Sequence, residues 1–110
     1  MNKKYDVVWS DIAENDLIDI VQFINNDSHS SAINILRKFR NKAKSLYHSP
    51  QRGRIIPELR EFGVLQFREL IISHWRLMYR IVNKRVYIVA IIDARQNVED
   101  ILLQRLLRKK

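Results

Sequence analysis

Cysteine is absent from the 110 residues, which excludes disulfides, thiolate nucleophiles and cysteine-based metal sites. That composition suits a reducing compartment and predicts a cytoplasmic protein. The chain has two glycines, Gly53 and Gly63, and two prolines, Pro50 and Pro57. Two isolated glycines cannot build a glycine-rich phosphate loop. No apolar run approaches the roughly 18 residues needed to span a bilayer. The opening Met1-Asn2-Lys3-Lys4 leads into polar-interrupted sequence, unlike a signal peptide, so no membrane partner is expected. His29, His48 and His74 are scattered and share no ligand spacing with Asp or Glu, so no metal or other cofactor is expected. Negative charge is also scarce. Twelve Asp+Glu stand against twenty Lys+Arg, a net +8, and a field of that sign favours polyanions or an acidic protein segment.

What is present suffices for one core: 46% of the residues are hydrophobic, and residues 1–110 read as a single domain. Tyr5, Val7 and Trp9 alternate as a short strand. Ser10 or Asp11 caps a helix whose apolar face is Ala13, Leu17, Ile20, Val21 and Ile24, ending near Asn25-Asn26. After a polar break, Ala32, Leu36, Phe39, Ala43 and Leu46 mark a second helix, with Arg37, Lys38, Arg40, Lys42 and Lys44 on its other faces. Ser49-Pro50 stops it. Residues 51–62 read as a loop. Three strands follow at about 64–72, 75–82 and 85–92, joined by Ser73-His74 and Asn83-Lys84, connections short enough to make neighbours antiparallel. Asn97 caps a last helix carrying Val98, Leu102 and Leu106 in line, with the basic tail Arg108-Lys109-Lys110 behind it.

The predicted fold is α+β in the order β-α-α-β-β-β-α. An N-terminal helical hairpin packs on one face of a mainly antiparallel four-stranded sheet, and the neighbour of the first strand is left open. Alternation assigns the faces. Arg68, Leu70 and Ile72 share a side, as do Arg76, Met78 and Arg80. The Trp75, Leu77, Tyr79 and Ile81 side is the better core. Arg68, Arg76 and Arg80 are therefore expected to line the other, open face, with Arg95 at its end. Glu58, Glu61 and Asp93 are candidates for internal pairing, but a chain of +8 cannot pair all its cations. The four arginines are thus read as an anion- or target-binding surface.

The sequence resembles the RelE/ParE superfamily of bacterial type II toxins over nearly its whole length. The resemblance rests on Tyr5-x-Val7-x-Trp9-Ser10-x-x-Ala13 with Asp16-Leu17-x-x-Ile20, and on Pro50-x-x-Gly53-Arg54 with Pro57-Glu58-Leu59. It rests also on Phe67-Arg68-Glu69-Leu70, on Trp75-Arg76-Leu77-Met78-Tyr79-Arg80-Ile81, and on Asp93-Ala94-Arg95. The opening helix and the Gly53-Arg54 loop are closer to the ParE and plasmid-stabilization branch. The resemblance implies a growth-inhibiting toxin, neutralised by a cognate acidic antitoxin that wraps a segment around it. It implies two alternative targets. ParE-like members inhibit DNA gyrase; RelE-like members cut messenger RNA on the ribosome. A non-toxic basic binding module is a third possibility.

Nuclease chemistry would require a base, a stabiliser of phosphorane charge and an acid. The resemblance puts Arg68 where one strand lysine of the nucleases stands and Leu70 where the second stands, matches Arg76 and Arg95 to phosphate-binding arginines, and places Ile101 near the proton-transferring tyrosine. A nuclease site, if any, would be Arg68, Arg76, Arg95 and His74, the last being the one histidine placed to move a proton. The missing lysine and tyrosine favour the gyrase-type toxin.

Overall fold

A computed structural model describes residues 4–108, and side chains through residue 105. The expected basic tail at Lys109-Lys110 and the expected place of Leu106 in the last apolar stripe lie outside these limits. The elements are β1 (Asp6–Trp9), α1 (Asp11–Asn25), α2 (His29–Lys44), a single 3-10 turn (Ser45–Tyr47), β2 (Arg54–Ile55), α3 (Pro57–Arg60), β3 (Phe67–Ile72), β4 (Trp75–Val82), β5 (Arg85–Asp93) and α4 (Val98–Arg108). The architecture is α+β, as the sequence implies, but the sheet has five strands in the order β1-β5-β4-β3-β2. The fifth strand and α3 come from residues read as loop. Pro57 sits in the first turn of α3, where its missing N–H costs nothing and its fixed φ suits a helix. β2 is two residues long and borrows its register from β3.

Caps set the ends of the hairpin helices. Ser10 Oγ accepts from Ala13 N at 3.1 Å and Ser28 Oγ from Ser31 N at 3.2 Å, satisfying N–H groups that a first turn leaves unpaired. The chain reverses between strands at Ser73 and Asn83, with φ of 54° and 56°. Asn tolerates this left-handed region well. β1 lies at the sheet edge and runs parallel to β5, a pairing that the long α1–α2 excursion permits. β1 stops at Trp9, opposite Ile88, so the rest of β5 has a bare edge. There Asp16 of α1 accepts from Ile91 N at 2.9 Å and from Arg105 of α4 at 3.1 Å. A carboxylate in this position blocks a further strand from adding.

The hairpin covers one sheet face. Phe39, Ala43, Leu46, Ala13 and Leu17 pack against Ile72, Leu77, Tyr79, Val86, Ile88 and Ile91. Phe39 meets the edge of Trp75, ring centroids 5.5 Å apart. The sequence assigned β4 to this face correctly but β3 backwards. Ile72 lies opposite Trp75 and Leu70 opposite Leu77, and directly opposed residues share a face. Leu70 and Ile72 therefore join the hairpin side, and Arg68 goes with them. Arginine was a misleading marker of the open face; the two-residue turn dictates the parity.

The second face is not open either. Ile56, Leu59, Met78, Ala90, Ile92 and Val98 form a smaller cluster there under α3 and α4. A β-bulge deepens it. Met78 pairs with Ala90 and Tyr79 with Ile88, which leaves Val89 as an extra residue. Val89 and Ala90 consequently both turn to this face, a break in alternation that bulges produce. Leu77 has 0% exposure, so Leu77→Ala is expected to cost about 2–5 kcal/mol through lost burial and a cavity. Denaturant unfolding checks it; a loss under about 0.5 kcal/mol, typical of exposed sites, would contradict this packing.

Candidate functional site

The four arginines of interest are dispersed over both faces and one end of the sheet. Arg76, on β4, is 6% exposed and reaches across the second face to Glu69 on β3 and Glu58 on α3. Its Nε donates to Glu69 Oε1 at 2.6 Å and its Nη2 to Glu69 Oε2 at 3.0 Å. Nη1 and Nη2 donate to the two oxygens of Glu58 at 2.9 and 2.6 Å. Arg54 Nε adds a bond to Glu69 Oε2 at 2.7 Å from the rim. Glu69 is 1% exposed. Both carboxylates meet the guanidinium bidentately, the strongest geometry such a pair has. The Glu58 bonds foremost push the Arg76 pKa up despite its burial, and the Arg76 bonds foremost hold Glu58 below its ordinary 4.5. Arg76 is permanently charged and already satisfied by anions of its own chain. Glu58 was legible as a partner; Glu69 was missed, because a lone glutamate in an apolar strand reads as a solvated residue.

Arg68 lies on the hairpin face, opposite Tyr79, and its Nη1 donates to Gly53 O at 2.7 Å. Tyr79 Oη donates to Pro50 O at 2.7 Å and accepts from Gly53 N at 2.9 Å; burial raises its pKa. These three bonds pin residues 50–53 to the sheet. A Cβ on Gly53 would fall 2.5 Å from Glu69 O and 2.6 Å from Tyr79 Oη, so only glycine permits this approach. The Gly53-Arg54 motif is thus explained by packing of the loop that delivers Arg54 to Glu69.

Arg95 and His74 meet at the far end of β4 and β5, in a groove of 620 Å³ that Asp19, Phe23 and Trp75 also line. Arg95 is held by Asp93 at 2.8 and 3.0 Å, and these bonds draw the Asp93 pKa down to about 2. His74 leans on Trp75, ring centroids 3.8 Å apart. Arg80 alone of the four is exposed without an anionic partner among the described residues. It lies 5.9 Å from the Phe67 ring centre, on the rim of a groove of 460 Å³. Ile56, Leu59, Phe67, Met78, Val89 and Leu102 line this groove, and Arg80 and Arg105 flank it. Its apolar floor went unseen in the sequence because the bulge at Val89 and the buried underside of α3 carry no local signal. Among the described residues no group of His, Asp and Glu could hold a metal ion.

A helical hairpin on one face of a five-stranded sheet, with a short and a C-terminal helix on the other, makes a fold of the RelE/ParE type. Within it the chain belongs to the ParE toxin family: the family described as "ParE toxin of type II toxin-antitoxin system, parDE" matches residues 7–98. Among solved structures, the chromosomal ParDE toxin–antitoxin system from P. aeruginosa is similar in fold. Its TM-score is 0.68 at 18% identity, over 84% of this chain and 98% of that one. The toxin–antitoxin complex RelBE2 from Mycobacterium tuberculosis is similar at TM-score 0.59 and 24% identity, over 84% and 94%. No curated protein sequence matches the chain.

The cluster dictates two outcomes. Glu69→Ala leaves Arg76 its Glu58 partner but strips the buried Nε of its acceptor, for which a stability loss of about 1–3 kcal/mol is expected in urea unfolding. Acid should act through the same bonds. Glu58 titrates below its unfolded value of 4.5, so the folded state binds fewer protons than the unfolded one in that window. Its contribution is complete above pH 4.5 and fades as pH falls through the folded value. Unfolding free energy should therefore decline below about pH 4.5, and Glu58→Gln should flatten that decline.

Proposed function

We propose that this ParE-family toxin acts on a protein target of the gyrase type and is not a nuclease, and that an acidic antitoxin segment neutralises it. The single observation carrying this reading is the state of Arg76. The arginine that would hold a scissile phosphate is buried and bidentately bound by Glu58 and Glu69. An RNA phosphate would have to displace two carboxylates from a site where their removal is costly. Leu70 packs with the hairpin core and Ile101 with the second cluster, so neither position supplies a proton or a charge. His74 stands with Arg95 and Asp93 in the end groove, and a base there would lack Arg76 as partner.

The 460 Å³ groove is the seat proposed for the antitoxin. Its floor is apolar and Arg80 on its rim has no anionic partner among the described residues, whereas Arg105 is held by Asp16; this suits an amphipathic segment with apolar anchors and an acidic edge, folding as it binds. Charge complementarity would speed the encounter.

Two measurements check this. The purified chain is expected to inhibit DNA supercoiling by gyrase and to leave ribosome-bound message intact. Discrete cuts in message, abolished by Arg76→Lys in a protein that still folds, would overturn the proposal. Val89→Asp with Arg80→Glu should weaken capture by the acidic protein encoded beside the toxin by about 1.4 kcal/mol or more, tenfold in affinity, measured by titration calorimetry.

A further inference from the structure

The positive charge of this chain is concentrated. Residues 28–57 contain seven Lys and Arg and not one carboxylate, so seven of the eight net charges reside there. Two are neutralised: Arg40 by Glu14 at 3.0 Å and Arg54 by Glu69 at 2.7 Å. The other five, Arg37, Lys38, Lys42, Lys44 and Arg52, make no ion pair among the described residues. Four of them lie on α2. Arg37 and Lys44, seven residues apart, fall on one line of the helix with Asn41 between them, and Lys38 and Lys42 run alongside. This line lies away from the buried stripe of Ala32, Phe39 and Ala43; Arg37, Lys38 and Lys44 are exposed, and Lys42, nearer the stripe, is half-buried.

Helix stability does not account for them. A helix dipole rewards Lys42 and Lys44 in the last turn but nothing as far back as Arg37 and Lys38. Lys38–Lys42 and Arg40–Lys44 are like-charge pairs four apart, each costing a few tenths of a kcal/mol. Nor does the face suit a peptide. The large exposed apolar side chains all lie off α2, among them Phe23, Phe62 and Leu65, so an acidic protein would find charge there and no anchor. Single-stranded nucleic acid wants exposed aromatics for stacking; Phe39 of α2 is buried, and Tyr47 just beyond the helix is half-exposed and packed edge-on with His48, ring centroids 4.7 Å apart. Double-stranded RNA is bound by shape, through phosphate and 2′-hydroxyl contacts spread over roughly 16 base pairs, a reach that one short helix face does not have. Unpaired cations over about 10 Å of helix, without apolar or stacking groups, fit the phosphates of duplex DNA, which carries one charge per roughly 1.7 Å.

We infer that the outer face of α2 is a sequence-independent contact surface for duplex DNA. This does not depend on which target the toxin inhibits. The test is fluorescence anisotropy of a labelled DNA duplex with the full chain, across a salt series. About four phosphate contacts give a log–log salt slope near −3.6, and an affinity loss of about 100-fold between 50 and 200 mM salt. Arg37→Gln/Lys38→Gln/Lys44→Gln should weaken binding by about tenfold or more and reduce the slope by about 3. Arg60→Gln/Arg95→Gln removes charge elsewhere and, set beside Arg37→Gln/Lys44→Gln, should change affinity less than about twofold, as expected for charges outside the contact. If the α2 triple fails to fold by circular dichroism, Arg37→Gln/Lys44→Gln carries the same comparison. Equal losses from the two surfaces would overturn the inference, as would tighter binding to single-stranded RNA or to a polyglutamate peptide.

Discussion

The second face of the sheet depends on one guanidinium. Arg76 meets buried Glu69 from the neighbouring strand and half-buried Glu58 from α3, and Arg54 closes the cluster from β2. Burying charge is unfavourable unless every donor and acceptor is engaged. Here the described side chains leave no buried polar atom without a partner. The cluster fixes where α3 and β2 sit, and so the position of Ile56 and Leu59 beside the apolar groove. Tyr79 and Arg68 secure the same loop from the hairpin side. The loop carrying the Gly53-Arg54 motif is thus held from both faces of the sheet, which is why a residue with no side chain is needed where it crosses.

With that arginine occupied, the surface divides by chemistry. The groove beside Arg80 offers apolar area with a cationic rim. The end groove pairs each of its arginines with an aspartate of its own chain. The outer face of α2 offers charge alone. A basic chain can in this way present two separate positive surfaces to different partners, one selective through its apolar floor and one through charge density.

Much of the fold was legible in the sequence. Apolar spacing gave both hairpin helices, with a cap at Ser10 or Asp11 for the first and a polar break before the second, and Ser73-His74 and Asn83-Lys84 gave the strand reversals. What escaped depended on pairings between distant residues. The face of β3 follows from Ile72 standing opposite Trp75, not from any property of Arg68. The extra residue Val89 shifts the phase of β5 without a glycine to announce it. β2 exists only because β3 offers it hydrogen bonds. Of the arginines singled out as an anion-binding set, Arg76 and Arg95 meet carboxylates of their own chain, for which Glu58 and Asp93 were legible as partners. Glu69 was not, since nothing local distinguishes a buried glutamate from a solvated one. This omission made an internally neutralised cluster look like an open anion site.

The central claim is that Arg76 holds the structure together and does not act on a substrate. Buried ion clusters can often be exchanged for apolar groups of similar volume without loss of stability, which allows a direct test. Growth inhibition should be measured for Arg76→Met/Glu58→Leu/Glu69→Leu, with folding and antitoxin capture verified on the same protein. The account predicts a folded toxin that still arrests growth. A variant that folds and binds antitoxin normally but has lost toxicity would contradict it and return Arg76 to the reacting site.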